Sequence, residues 1–467
     1  MNLPAGFEES MRSLLGKESA AFIHAHRNKA RTSVRLHPLK TQNELHLSTA
    51  VPWCSHGYYL DERPSFTLDP HFHAGHYYVQ EASSMFLDYA LKVLGIPKNA
   101  SAIDLCAAPG GKSTLLASHL GQDGLLHCHE TNPLRAQALQ HNIIKWGYPN
   151  VCITRGNLTN LQLLPHRYDV IIADAPCSGE GMFRKESHAV EQWSPKLIDR
   201  CSAIQSHVLH IATQLCKSGG YVFYSTCTYN EKENEAVIRP YVNSGLLESV
   251  EVENPFDLVQ SASSIKTYRF LPHRVEGEGF SFTALRRTSN ELPGSMAGHA
   301  KASKYHQTDR KRKMGSGKDP KANAIRSFVP FPAELEPWLQ SHAALSATMR
   351  DGEMVALPQR FVAQVSDIEN CSRTIHAGIP IGHYKGKDFF PSQALCQSVC
   401  LSDHLPSISM NRECALRYLR CLPVENDQNA ARGWNLAQYG KARMGWLKQT
   451  GCLLKNYYPI HYRITSF

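Results

Sequence analysis

Residues 103–112 read Ile103-Asp104-Leu105-Cys106-Ala107-Ala108-Pro109-Gly110-Gly111-Lys112, an apolar strand that runs into a turn of small residues and then, from Ser113, into a helix. Only small residues let the backbone come close to a ligand at such a turn, which is where open α/β sheets bind nucleotides. Outward from this stretch, the pattern predicts strands at 102–105, 125–130, 151–155, 169–174 and 221–226. Helices are expected between them at Ser113–Leu120, Pro133–Trp146 and Pro195–Cys216, and after the last strand at Glu231–Asn243. Alternation of this kind signals a parallel sheet wrapped by crossover helices. Leu247–Val252 and Phe280–Leu285 extend the sheet, and an amphipathic helix is expected from Tyr77 to Leu94. The second strand ends at Glu130, where an acid would hydrogen-bond a ribose hydroxyl pair.

A phosphate-binding P-loop is the competing reading, with Gly111-Lys112-Ser113 closing the loop and Val170-Ile171-Ile172-Ala173-Asp174 as its magnesium strand. That loop needs a glycine where Cys106 stands, and it leaves Glu130 and two cysteine motifs without a role.

The cysteine motifs are Asp174-Ala175-Pro176-Cys177 and Ser225-Thr226-Cys227-Thr228, each directly after an expected strand. A free cysteine is most often a small inert hydrophobe. Two of them just past the C-terminal ends of parallel strands, where such sheets bind ligands, suggest thiols converging on one substrate. Carbon 5 of a pyrimidine is barely nucleophilic, so methylating it requires a thiolate to add first at carbon 6, which is covalent catalysis. A second basic group helps remove the carbon 5 proton. Asp174 is placed to hydrogen-bond the amide-like edge of the base. Methylation of an exocyclic amine is disfavoured, because Asp-Ala-Pro-Cys lacks the aromatic that would stack the base.

At 467 residues, 42% apolar and 19% charged, the composition is globular and the length suggests roughly three domains. No apolar run is long enough to span a bilayer, and the N-terminal residues lack a signal-peptide pattern, so a cytoplasmic protein with no membrane partner is expected. The fourteen cysteines never form Cys-x-x-Cys, and most should be reduced and buried. A net charge of +9 favours a polyanionic partner without choosing among RNA, DNA and membrane. The expected organisation is an N-terminal α+β domain (1–75), a doubly wound domain (76–288), a basic flexible linker (289–326) and a β-rich C-terminal domain (327–467), with no internal repeat. The first of these combines a helical pattern from Phe7 to His26 with short strands at Ser33–Leu36 and Glu44–Leu47. His71-Phe72-His73 with His76, and His127-Cys128-His129, superficially suggest metal ligands. The chemistry needs no metal, and none is expected.

Asp-Leu-Cys-Ala-Ala-Pro-Gly-Gly-Lys (104–112), Asp-Ala-Pro-Cys-Ser-Gly-Glu-Gly (174–181) and Ser-Thr-Cys-Thr (225–228) together resemble the RNA 5-methylcytosine methyltransferases of the Sun/Nop2 type. Gly181-Met182-Phe183-Arg184-Lys185 and Tyr77-Tyr78-Val79-Gln80-Glu81-Ala82-Ser83-Ser84 resemble its bacterial RsmF type, which acts on 16S ribosomal RNA. The resemblance covers almost the whole chain. It implies a Rossmann-like class I methyltransferase core, S-adenosyl-L-methionine as cofactor, small-subunit RNA as partner, a monomer, and a PUA-like RNA-binding tail. That tail would include Tyr384–Pro391, Met444–Lys448 and Lys455–Pro459, where lysines and aromatics interleave.

By the same resemblance Cys227 is the nucleophile and Cys177 assists product release. The cofactor contacts fall on Cys106, Ala107, Ala108, Pro109, Gly110, Gly111, Lys112, Glu130, Asp174 and Asn157. The last departs from the acid usual in the family, yet an amide still serves an adenine edge with one hydrogen bond. Two other classes stay open: a non-catalytic ribosomal-RNA-binding assembly factor that keeps the cofactor fold, and a methyltransferase acting on protein or small molecules.

Overall fold

The computed structural model describes residues 3–40, 42–164, 166–289, 328–340, 344–424, 430–451 and 453–465. Helices α1 (Ala5–Leu15) and α2 (Ser19–Ala25) lead into an antiparallel sheet of β1 (Ser33–Leu36), β2 (Leu47–Ala50), β3 (Gly57–Leu60) and β4 (Tyr77–Val79), in the order β2-β3-β1-β4. Between β3 and β4 lies the short α3 (Pro70–His73), and after β4 comes α4 (Phe86–Val93). Two expectations are corrected here. Tyr77–Val79 is not the start of a helix: it pairs with β1, Val34 opposite Val79 and Leu36 opposite Tyr77, as β-branched and aromatic residues favour. The helix starts only after Glu81 has accepted the backbone N–H groups of Ser83 and Ser84 at 2.9 and 2.8 Å. The second small strand begins at Leu47 instead of Glu44.

The central unit follows as β5 (Ser101–Asp104), α5 (Gly111–Leu120), β6 (Leu125–Glu130), α6 (Pro133–Trp146), β7 (Val151–Arg155), β8 (Tyr168–Asp174), α7 (Ser187–Gln192), α8 (Pro195–Leu215), β9 (Cys216–Thr226) and α9 (Glu235–Asn243). It closes with β10 (Leu247–Val250), β11 (Val259–Gln260), β12 (Thr267–Phe270) and β13 (Phe280–Arg287). Strands β5 to β9 pair in parallel, and β10 to β13 add antiparallel. The apolar runs are continuous because both faces are covered. On β5, Ala102 packs into one core and Ile103 into the other; on β8, Val170 and Ile172 face one side while Ile171 and Ala173 face the opposite side. Sequence reasoning missed α7, β11 and β12, and it joined Glu231–Glu233, a 3₁₀ turn, to α9.

The C-terminal part holds β14 (Val329–Pro330), β15 (Leu345–Arg350), β16 (Glu353–Pro358), α10 (Val362–Cys371), β17 (Arg373–Ala377), β18 (Ile379–Lys385), β19 (Asp388–Pro391), α11 (Gln393–Gln397), β20 (Ser407–Ser409), α12 (Arg412–Leu419), β21 (Gly433–Tyr439), β22 (Ala442–Thr450) and β23 (Leu453–Asn456). Most of these strands build two further sheets, β14-β15-β16-β18-β19 and β20-β21-β22-β23. Strand β17 does not join them. It pairs antiparallel with β7, so the central sheet runs β11-β12-β13-β9-β8-β5-β6-β7-β17 among the described residues, with β10 beside β13. The architecture is α/β: a Rossmann-like core with an N-terminal α+β unit and a β-rich C-terminal end. The expected basic linker lies outside the described residues, but for Ser289.

Local chemistry sets the helix ends. Asn132 caps α6 by accepting from the backbone of Leu134 and Arg135, Pro133 occupies its first position, and Gly147 ends it at φ +84°. Gly147 also meets the C-terminal part, since Val399 N–H donates to its carbonyl at 3.0 Å and a Cβ there would collide with the Gln397 carbonyl. Gly147→Ala is expected to cost about 1–3 kcal/mol through the left-handed backbone and that collision. Lowered thermal stability, with earlier proteolysis around residues 393–401, is the readout; unchanged melting would contradict this contact.

Candidate active site

Strand β5 lies between β6 and β8, so the strand order reverses at its C-terminal end and opens a crevice there. The predicted turn fills that place. Ala107 and Ala108 are buried, the Ala108–Pro109 peptide is cis, and Gly110 at φ +113° starts α5. The side chains around the turn hold it from outside. Arg135 donates to the Ala108 carbonyl at 2.6 Å, and Asn142 to that of Pro109 at 2.9 Å. Arg35, from β1, is buried and donates to Gln80 at 2.8 Å and Thr114 at 2.6 Å.

Glu130 ends β6 as expected and is 3% exposed. Its Oε1 accepts Asn132 N–H at 2.9 Å, while the buried Oε2 accepts no hydrogen bond and has Arg135 at 3.6 Å. The Oδ1 of Asp104 is likewise buried without a hydrogen-bond partner, its Oδ2 taking Ser113 Oγ at 2.7 Å. Buried acceptors left open beside a glycine turn fit a ligand that brings hydroxyl or ammonium donors. Burial lifts the Asp104 carboxyl to about 7 and pushes the Cys106 thiol well up, so that thiol is a poor nucleophile. Asn157 stands exposed after β7, its Oδ1 accepting Thr159 N–H at 3.0 Å.

The two cysteine loops leave the sheet side by side because β8 and β9 run parallel with Asp174 opposite Ser225. Cys177 and Cys227 are half-buried and paired as a disulfide, Cα to Cα 6.3 Å, and Cys227 N–H points at Cys177 Sγ at 3.1 Å. Other described cysteines are free. Asp174 links these loops to the turn: Lys112 Nζ lies 2.8 Å from Oδ2, and Ser225 Oγ donates to Oδ1 at 2.7 Å. Lys112 also sits 4.8 Å over the Phe280 ring.

Sequence reasoning did not find what braces the loops. Glu233, fully buried, accepts Ser178 N–H and Gln205 Nε2 on Oε1, and Ser178 Oγ and Asn230 Nδ2 on Oε2. Glu180, also buried, accepts Thr228 Oγ1, Tyr229 N–H and Asn230 N–H on Oε2 and Trp193 Nε1 and Asn230 Nδ2 on Oε1. Burial pushes the Glu180 carboxyl up, against the pull of these donors. Both acids thus sew the loop after β8 to the loop after β9. The Asn230–Glu233 spacing matches a capping box, and that signal was readable.

The histidines find protein partners instead of a common ion. His127 and His129 both meet Thr154 Oγ1, at 2.7 and 2.8 Å, and His71 meets Asp69 at 3.2 Å. No cluster able to hold a metal occurs among the described residues. In the tail, Tyr384 is exposed, whereas Lys448 packs over Phe390 and Trp434, and Met444, Trp446 and Leu447 are core.

Two outcomes are expected. Glu233→Gln turns an amide N–H toward buried donors at a cost of about 1–3 kcal/mol, so Cys177 and Cys227, once reduced, should alkylate several-fold faster with iodoacetamide. Asp104 holds a proton that the unfolded chain releases near pH 4, so its contribution to stability is full below that value and fades as pH rises through about 7. Asp104→Asn should flatten the melting temperature over that window; an unaltered pH profile would contradict the raised carboxyl.

Comparison with known proteins agrees with this geometry. Residues 91–286 match the family described as 16S rRNA methyltransferase RsmB/F, 3–82 the N-terminal domain of 16S rRNA methyltransferase RsmF, and 406–464 the methyltransferase RsmF PUA domain. Ribosomal RNA small subunit methyltransferase F of Erwinia tasmaniensis is 27% identical over 98% of this chain and 96% of its own. That of Pectobacterium carotovorum is 33% identical over 62% and 64%. The crystal structure of a methyltransferase homolog protein from Pyrococcus horikoshii superposes with a TM-score of 0.53 at 26% identity, covering 60% of this chain and 94% of that one. The unit that carries the glycine turn and the two braced cysteine loops, residues 91–286, is thus a methyltransferase unit matching the RsmB/F family, flanked by stretches that match the RsmF N-terminal and PUA domains.

Proposed function

We propose that this enzyme transfers a methyl group from S-adenosyl-L-methionine to carbon 5 of a cytosine in RNA, the small-subunit 16S ribosomal RNA, through a covalent adduct of Cys227. The observation that carries the reading is the meeting of Cys177 and Cys227 at the ends of β8 and β9, joined through Asp174 and Lys112 to the cofactor turn. When bound, the cofactor supplies an electrophilic methyl. Cys106 to Lys112 would cradle it, the open Glu130 carboxylate oxygen would take its ribose hydroxyls, and the Asn157 amide its adenine edge.

The chemistry runs on the reduced cysteine pair. Cys227, as thiolate, forms a bond to carbon 6 of the cytosine and pushes the electron pair toward carbon 5. Asp174, held by Lys112 and Ser225, hydrogen-bonds the amide-like edge of the base and steadies the shifting charge. After carbon 5 has taken the methyl, Cys177 in its basic form removes the carbon 5 proton, and the pair of that C–H bond expels the Cys227 sulfur. The neighbouring sulfurs suit this division of labour.

Net positive charge and the PUA family match support RNA as partner. The N-terminal and C-terminal units are the RNA-binding parts of this reading, the enzyme working as a cytoplasmic monomer. Among the described residues no helix is long and apolar enough to cross a membrane.

Cys227→Ala should abolish turnover and covalent capture of 16S RNA under reducing conditions, whereas Cys177→Ala should trap the adduct and slow its release. An adduct that survives loss of Cys227 would reverse the two roles. Bisulfite sequencing of ribosomal RNA from a deletion strain should lose one protected cytosine; RNA binding with no lost methyl would leave a binding factor in place of the enzyme.

A further inference from the structure

A cavity of about 480 Å³ opens between the N-terminal sheet and α6, and none of its walls belongs to the cysteine loops. Phe72 and Tyr78 line one side, Asn142, Lys145 and Trp146 the other, and Arg63 stands at the rim. No carboxylate lines it.

Lys145 makes this cavity unusual. Its side chain is 7% exposed, yet the group facing its ammonium is the Phe72 ring at 4.1 Å, and no described acid or carbonyl pairs with it. Burial alone draws its pKa down to about 8. An ammonium this deep with no anion beside it carries a desolvation cost, of which a ring face offsets only part. Arg63 is exposed, with its guanidinium 5.3 Å over Phe66 and no ion pair among the described residues. Two cations without counter-ions beside an aromatic wall call for a ligand that is anionic at one end and flat at the other. A nucleotide is both. The volume suits one, since small-ligand pockets span roughly 300–1,000 Å³.

From this arrangement we infer that the cavity holds one unstacked nucleotide of the RNA substrate, its phosphate on Lys145 and Arg63 and its base beside Phe72 and Tyr78. Aromatic stacking joined to a phosphate contact is how single-stranded RNA is gripped without a base code. The cavity also backs the cofactor turn. Asn142 donates to the Pro109 carbonyl at 2.9 Å, and Tyr78 lies beside Gly111. A nucleotide seated here therefore lies behind the glycine turn, and the inference rests on the RNA reading given above.

The test is filter binding of radiolabelled 16S ribosomal RNA at several salt concentrations, with methylation kinetics, for the wild type, Lys145→Met and Arg63→Ala. Methionine keeps the buried stem and removes the charge. Each variant should weaken RNA binding roughly five- to tenfold, raise KM for RNA with kcat unchanged, and lower the salt slope by about 0.7–1. Should Lys145→Met melt early, the exposed Arg63→Ala carries the test alone. Unchanged affinity and slope in the variants, with a wild type that binds and methylates, would overturn the site and leave the activity standing. A defect confined to assembled subunits, with naked RNA bound normally, would give the cavity to a protein segment instead. A wild type that neither binds nor methylates the RNA would remove the parent reading and the site together.

Discussion

Parallel pairing of β8 with β9 is the constraint on which the site depends. With Asp174 fixed opposite Ser225, the chain cannot leave the two strands except side by side, and the two sulfurs meet although fifty residues separate them. A slip of one residue would turn Asp174 to the other face of the sheet and break its link to Lys112. Burial of both sheet faces enforces the register, because Val170 to Ala173 and Val222 to Tyr224 pack alternately into the two cores.

Buried carboxylates then finish what the strands begin. Glu180 and Glu233 accept hydrogen bonds from both loops, so either loop moving alone would strand donors in a region without water. An acid in such a position keeps the geometry of the loops that carry Cys177 and Cys227. Bracing of the same kind appears at the glycine turn, where Arg35 and Asn142 hold the backbone from behind and leave Glu130 open.

Much of this was legible in the sequence, for physical reasons. Strands buried on both faces leave unbroken apolar runs, so β5 to β8 could be read to within a residue and β9 from Tyr221 on, and so could the glycine turn and the cysteines at the strand ends. The Cys216–Gly220 start of β9, exposed at Ser218 and Gly219, could not. What depended on distant partners could not be read. Tyr77-Tyr78-Val79 looks like the first turn of an amphipathic helix until β1 is there to pair with it. Glu233 sits three residues after Asn230 and reads as an ordinary capping acid, but its carboxylate turns to Ser178. Lys145 reads as a solvated lysine on a helix end, because nothing local says that the N-terminal sheet covers it.

Strand β17 has a consequence for the evolution of this architecture. A polypeptide that continues past the catalytic unit and comes back to border its sheet makes the tail a structural member as well as an accessory. Without residues 373–377, β7 would present a bare row of amide and carbonyl groups, an invitation to pair with another chain. Loss of the tail would strip an edge strand from the central sheet itself, which loss of a merely tethered module would not do.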